Sequence, residues 1–98
     1  MSFTLRWSPQ ARDNLTFLAT HHRVAAIDGA EEQLKDQPTQ PTRNRKLLRE
    51  NPLATWELRL GDLRIFYNVN DSDQAVEIVA VGIKEHNRLI IGGAEVNL

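Results

Sequence analysis

Apolar and polar residues alternate through Trp56-Glu57-Leu58-Arg59-Leu60 and again through Leu63-Arg64-Ile65, the period of half-buried strands. Only Gly61 and Asp62 lie between them, and glycine at the first central position suits a type II′ turn. A two-residue loop pairs Leu60 with Leu63, Leu58 with Ile65 and Arg59 with Arg64. The leucines and Ile65 then share one face and the two arginines the other. Like charges directly opposite on a sheet cost roughly 0.2–1 kcal/mol, so an anion is the simplest candidate to offset them. After the turn Asn70-Asp71-Ser72-Asp73, a third antiparallel strand is expected from about Ala75 to Val81. Its apolar residues are divided between two faces, Val76, Ile78 and Ala80 on one and Val79 and Val81 on the other, with Gly82 ending it.

Upstream, Ser2 to Trp7 alternates with Phe3, Leu5 and Trp7 on one side. Ser8-Pro9 starts a helix, with serine as cap and proline at the first helical position. Ala11, Leu15 and Leu18 recur at helical spacing, Phe17 widens the stripe, and His21-His22 is expected near the helix's C-terminal end. Val24 to Gln37 reads as a second helix with Val24, Ile27, Ala30 and Leu34 inward. Gly29 inside it marks close packing or local weakness, and Pro38 ends it. The two helices are expected to form a hairpin on one face of the sheet. Pro38 to Pro52 reads as a proline-rich basic linker, and Leu89-Ile90-Ile91 as an extended apolar patch.

With 98 residues the chain is expected to form one domain with a single core. It has no cysteine, hence no disulfide framework or thiolate metal site. The acidic turn lacks the glycine and glutamate of a calcium loop. No cofactor or metal is expected. No apolar run is long enough to span a membrane and the N-terminus lacks the pattern of a signal peptide, so a cytoplasmic protein is the default. The net charge is −1, but it is unevenly spread. Residues 43–66 carry Arg43, Arg45, Lys46, Arg49, Arg59 and Arg64 against three acids, whereas residues 67–98 carry Lys84 and Arg88 against five. That pattern predicts a basic patch on an acidic surface.

The order of strand, helix hairpin, basic linker and antiparallel strands, with WELRLGDLRIFYNV followed by VEIVAVGIKEHNRL, resembles the RelE/ParE superfamily of toxins from type II toxin–antitoxin pairs. The resemblance covers nearly the whole chain and implies an α+β fold, an N-terminal strand and helix hairpin packed on a small antiparallel sheet. RelE-like members cut messenger RNA, generally in the ribosomal A site, whereas ParE-like members inhibit DNA gyrase. Both are neutralised by a cognate antitoxin. RelE-like nucleases typically use two lysines on the strand that here carries Glu57 and Arg59, an arginine matching Arg64, a basic residue matching Lys84, and a tyrosine whose position falls near Ile90. Arginine does not deprotonate at working pH, so Arg59 can stabilise a phosphorane but not act as a base. Glu57 and His86 are the candidates for acid and base. The expected function is therefore a metal-independent, ribosome-dependent mRNA endoribonuclease. Its site would comprise Glu57, Arg59, Arg64, Lys84 and His86, with Arg43, Arg45, Lys46, Arg49 and Arg88 on the RNA. Gyrase inhibition by binding alone, or an inactive antitoxin-binding member, is the alternative. Phe66, Val79 or Val81 and part of Leu89-Ile90-Ile91 are expected to lie exposed until an antitoxin covers them.

Overall fold

The computed structural model of the chain describes residues 2–98. Strand β1 (Thr4–Trp7) leads into helices α1 (Pro9–Leu15) and α2 (Thr20–Leu34). Strands β2 (Arg45–Leu47), β3 (Trp56–Leu60), β4 (Leu63–Asn70), β5 (Ala75–Glu85), β6 (Arg88–Ile91) and β7 (Ala94–Glu95) follow. The sheet runs β2-β3-β4-β5-β6-β7 with antiparallel neighbours, and β1 joins it parallel to β5. This is an α+β architecture. Within 2–98, no helix is long and apolar enough to cross a membrane.

The β3–β4 hairpin has the expected register, Leu60 opposite Leu63, Leu58 opposite Ile65 and Arg59 opposite Arg64. Gly61 takes φ +60° while Asp62 keeps φ out of the positive region, in agreement with a type II′ turn. Beyond Phe66 the register slips by one, because Phe66 pairs with Ala80 but Tyr67 with Ile78. Val79 is thus the extra residue of a β-bulge, and it reverses the alternation along β5. Val81 and Ile83 join Val76 and Ile78 under the helices, while Ala80 turns to the opposite face to meet Phe66. The expected grouping of Ala80 with Ile78, and of Val81 with Val79, is corrected by that bulge.

The bulge coincides with a change of partner. The first part of β5 pairs with β1 and the last part, from Gly82 to Glu85, with β6. In the gap, α1 supplies the missing hydrogen bonds. Ser8 donates its backbone N–H to Ile78 O (3.0 Å) and its hydroxyl to Val79 O (3.0 Å), while Asn14 Oδ1 accepts from Val81 N–H (3.1 Å). Ser8 Oγ also accepts from Ala11 N–H, so it caps α1 as expected.

Three further expectations are corrected. The first helix stops at Leu15, so His21 and His22 lie in the first turn of α2 and not near a C-terminus. The break is made by tightened turns, in which Thr16, Phe17 and Leu18 donate to the carbonyls three residues back. The buried line of α2 is Ala26, Ala30 and Leu34, leaving Val24 and Ile27 exposed. These small residues let α2 lie close to the sheet, and a side chain added at Gly29 would run into Leu60. Finally, Gly82 does not end β5. The strand continues to Glu85, and the missing side chain makes room for Ile90 O and Ile91 of β6.

The main core lies between the helices and the sheet, around Leu58, Ile65, Tyr67, Val76, Ile78 and Val81. A second, smaller core lies on the other face, where Phe66, Ala80, Leu89 and Ile91 are covered by Leu48, Leu53, Ala54 and Val96. The expected exposure of that face is therefore overturned. Phe66 is fully buried because the segment before β3 and the tail after β7 fold back over the sheet, and Val81 because the bulge turns it under the helices.

Candidate functional site

Alternation along β3 puts Glu57 and Arg59 on the face away from the helices, and the bulge in β5 brings Lys84 onto that same face. The three line an open cleft of about 400 Å³ together with Arg49, from the segment before β3, and Arg88, from β6. Its rim is completed by Glu50, Asn51, Asn87, Glu95 and the tail from Val96 to Leu98. Asn51 holds the segment in place with both ends of its side-chain amide. Its Oδ1 accepts from Leu53 and Ala54 N–H (2.8 and 3.1 Å), and its Nδ2 donates to Arg49 and Ala54 carbonyls (2.8 and 3.0 Å).

Two ion pairs cross the cleft lining. Arg59 Nε donates to Glu57 Oε1 at 2.7 Å, with the carboxylate buried against the sheet. Arg88 Nε stands 3.6 Å from Glu95 Oε1 in a more exposed pair. Among the described residues, Arg49 and Lys84 have no carboxylate in ion-pair range. They are the cations with charge left to offer.

The other expected site residues do not converge on the cleft. Arg64 faces Arg59 across the hairpin as expected, yet its Nη1 turns back to the Gly61 and Leu63 carbonyls (2.7 and 2.9 Å), with its Nε buried and without a partner. The two arginines splay apart, one toward Glu57 and the other toward the turn, which relieves their repulsion. His86 sits with Asn87 at the tip of the β5–β6 hairpin, both at positive φ (51° and 66°), as a type I′ turn demands. It is exposed and outside the cleft lining. Arg45 lies under the helix side and closes the C-terminal end of α2, donating from Nη1 to Gln33 O (2.7 Å) and from Nε to Gln40 O (3.1 Å). Lys46 pairs opposite Glu57 on the edge strand, exposed beside the cleft but not in its lining, and Arg43 is exposed ahead of β2.

Beneath the helices, Tyr67 donates its hydroxyl to Pro38 O (2.7 Å) and stacks across the strand pair on Trp56, with ring centroids 6.2 Å apart. Burial pushes its phenol well above the ordinary value, against a smaller opposing pull from Arg45. This tyrosine is structural. Among the described residues, no three His, Asp or Glu side chains gather as a metal site would need.

The contribution of the C-terminal tail to the cleft was not foreseen from the sequence. The signal for it was Gly92-Gly93, both at positive φ, which turns β6 into β7 and returns Glu95 and Val96 to the cleft.

A family model described as the ParE toxin of the type II toxin–antitoxin system parDE matches residues 5–88. No curated protein matches the chain in sequence. Among solved structures, the chain is similar to one in the RelBE2 toxin–antitoxin complex of Mycobacterium tuberculosis, with 28% identity over 83% of this chain and 96% of that one and a TM-score of 0.71. It shares its fold with chains of the archaeal RelE–RelB complex of Pyrococcus horikoshii (20% identity, 88% and 99% covered, TM-score 0.67) and the intact RelBE complex of E. coli (23%, 86% and 99%, 0.64).

Proposed function

This chain belongs to the ParE toxin family of type II toxin–antitoxin systems, within the RelE/ParE superfamily, and from that premise we propose that its cleft is an RNA-cleaving site, making it a ribosome-dependent mRNA endoribonuclease. One observation carries the reading. Glu57 and Arg59 from β3 and Lys84 from β5, two strands separated by β4, line one open cleft with Arg49 and Arg88. A carboxylate beside cations is what phosphodiester cleavage by the RNA's own 2′-hydroxyl needs. The 2′-oxygen attacks phosphorus while Glu57 takes its proton. Arg59 and Lys84 hold the non-bridging oxygens as charge builds on them, and the 5′-oxygen leaves with a proton from the Lys84 ammonium. The products are a 2′,3′-cyclic phosphate and a 5′-hydroxyl. Arg49 and Arg88 would lie along the flanking phosphates.

A second reading, inhibition of DNA gyrase by binding alone, is favoured by two specific observations. The matched family model describes ParE toxins, and the resting Glu57 is already engaged by Arg59. Induction of the chain alone in bacteria separates the two. Early loss of protein synthesis with fragmented mRNA is expected. An early DNA-damage response with intact mRNA would replace the nuclease with the gyrase inhibitor.

The similar structures were solved as toxin–antitoxin complexes, and a cognate antitoxin is the partner proposed for this chain. Because the face around Phe66 is already covered, the large apolar side chains open to that partner are Phe17, Val24 and Ile27 from the helix segment, Leu47 at the sheet edge and Leu98 beside the cleft.

A further inference from the structure

Glu57 and Arg59 are two residues apart on one strand, so their side chains stand side by side on the cleft face. The side chain of Glu57 is only 8% exposed, and that of Arg59 is 44% exposed. Next to Glu57 on one side lies the fully buried Phe66, and on the other the exposed Lys46 of the edge strand. Among the described residues, Arg59 is nonetheless the only cation within ion-pair range of the carboxylate. The bond uses Arg59 Nε, which forms one half of the side-on fork through which a guanidinium grips a phosphate with two parallel hydrogen bonds. A phosphate that grips Arg59 side-on must therefore take this donor from a carboxylate already seated on it. The Arg88–Glu95 pair is longer and more exposed, so solvent screens it and it exerts no comparable hold.

We propose that Glu57 is a resident anion that sets the cleft's affinity for phosphodiesters, a specificity-determining role that rests on reading the cleft as the phosphate-binding surface. A ligand with a single phosphate gains too little to displace it. A single-stranded RNA segment, which also reaches Arg49 and Lys84, offsets the lost ion pair with further contacts. Release of Arg59 then coincides with freeing the Glu57 carboxylate next to the bound RNA.

The test is binding of a fluorescein-labelled single-stranded RNA oligonucleotide, followed by anisotropy, to the unaltered chain, Glu57→Gln and the double variant Glu57→Gln/Arg59→Met, with melting curves on each. Glu57→Gln is expected to bind about three- to tenfold tighter. The gain is expected to vanish in the double variant. Unchanged or weaker binding by folded Glu57→Gln overturns the proposal, as does a gain that persists without Arg59. Should Glu57→Gln fail to fold, the Arg59 Nε–H resonance of the unaltered chain is followed during titration with the same RNA. A shift on binding supports release of Arg59 from Glu57; a fixed resonance with bound RNA overturns it. Cleavage of mRNA in induced cells is scored separately. Tighter binding without cleavage by the unaltered chain removes the nuclease and leaves the resident anion. Cleavage without the affinity change removes the resident anion and leaves the nuclease.

Discussion

The two faces of the sheet are closed by different means. Under the helices, Leu58, Ile65, Tyr67 and Val76 meet a continuous apolar layer from α1 and α2. On the opposite face Phe66 and Ala80 are covered only by the segment before β3 and by the tail, and these short pieces leave Glu57, Arg59 and Lys84 around the margin. A helix layer buries the centre of its face and admits charge only at its margin, where Arg45 meets the end of α2. A thin cover of loop and tail buries the centre of a face and leaves a charged rim. The chemistry sits where the cover is thin.

The comparison is tested most severely by truncating one residue on each side. Leu58→Ala and Phe66→Ala are both expected to cost about 3–5 kcal/mol in chemical denaturation, since both side chains are fully buried. A loss below about 1 kcal/mol for Phe66→Ala would mean that the thin cover does not exclude water. Asn51→Ala removes the four hydrogen bonds that shape that cover. It should cost about 1–3 kcal/mol and speed amide exchange at Leu53 and Ala54 without changing exchange in α2. Uniform acceleration across both faces would show that the cover is not a separate unit.

On the helix side, Tyr67→Phe is expected to cost about 1 kcal/mol at neutral pH through loss of the bond to Pro38. It should also flatten the alkaline limb of the stability curve. Burial raises the phenol's pKa in the folded chain, whereas the unfolded chain ionises near the ordinary value of 10.0. The stabilisation is therefore complete below that pH and is lost as pH rises beyond it. An alkaline limb equally steep in the phenylalanine variant would assign it to another group. The smallest effect is expected at the β5–β6 turn. Replacing His86 alone by Asn suits its positive φ better, leaves Asn87 in the cleft lining, and should add up to about 0.5 kcal/mol. Growth inhibition should stay unchanged, because His86 lies off the cleft. A large loss of toxicity in that folded variant would restore an acid–base role to His86.

Where one face is apolar and the turn chemistry is strict, the sequence was sufficient. Gly61-Asp62 and the alternating leucines determine the β3–β4 register, and Ser8-Pro9 marks the start of α1. The bulge was not legible, because Val79, Ala80 and Val81 are all apolar and contiguous, so periodicity cannot tell which faces which side. The gap between α1 and α2 contains neither glycine nor proline, so the pattern places the boundary between the two helices too late, after His22. Strand β2 was missed because Arg45-Lys46-Leu47 lacks alternation and lies at the edge. The charges of the site were visible as a cluster in sequence. Their sorting into a cleft set and a structural set was not, since it depends on the bulge, on Asn51 and on Arg45 turning toward α2.

The split edge of β5 has a kinetic consequence. From β2 to β7 each strand pairs with its neighbour in sequence, so that meander assembles through short loops. Strand β1 and the start of α1 instead dock on β5, and the Ser8–Val79 contact spans 71 residues. Closing so long a loop carries an entropic cost that must be met before its contacts can stabilise anything, and such non-local pairing slows folding. In a chain made from its N-terminus, the first strand and both helices leave the ribosome well before β5, the strand on which β1 and α1 dock. The cleft half of the sheet can form from its own hairpins, and α2 can pack on β3, while β1 and α1 wait for nearly the whole chain to be synthesised.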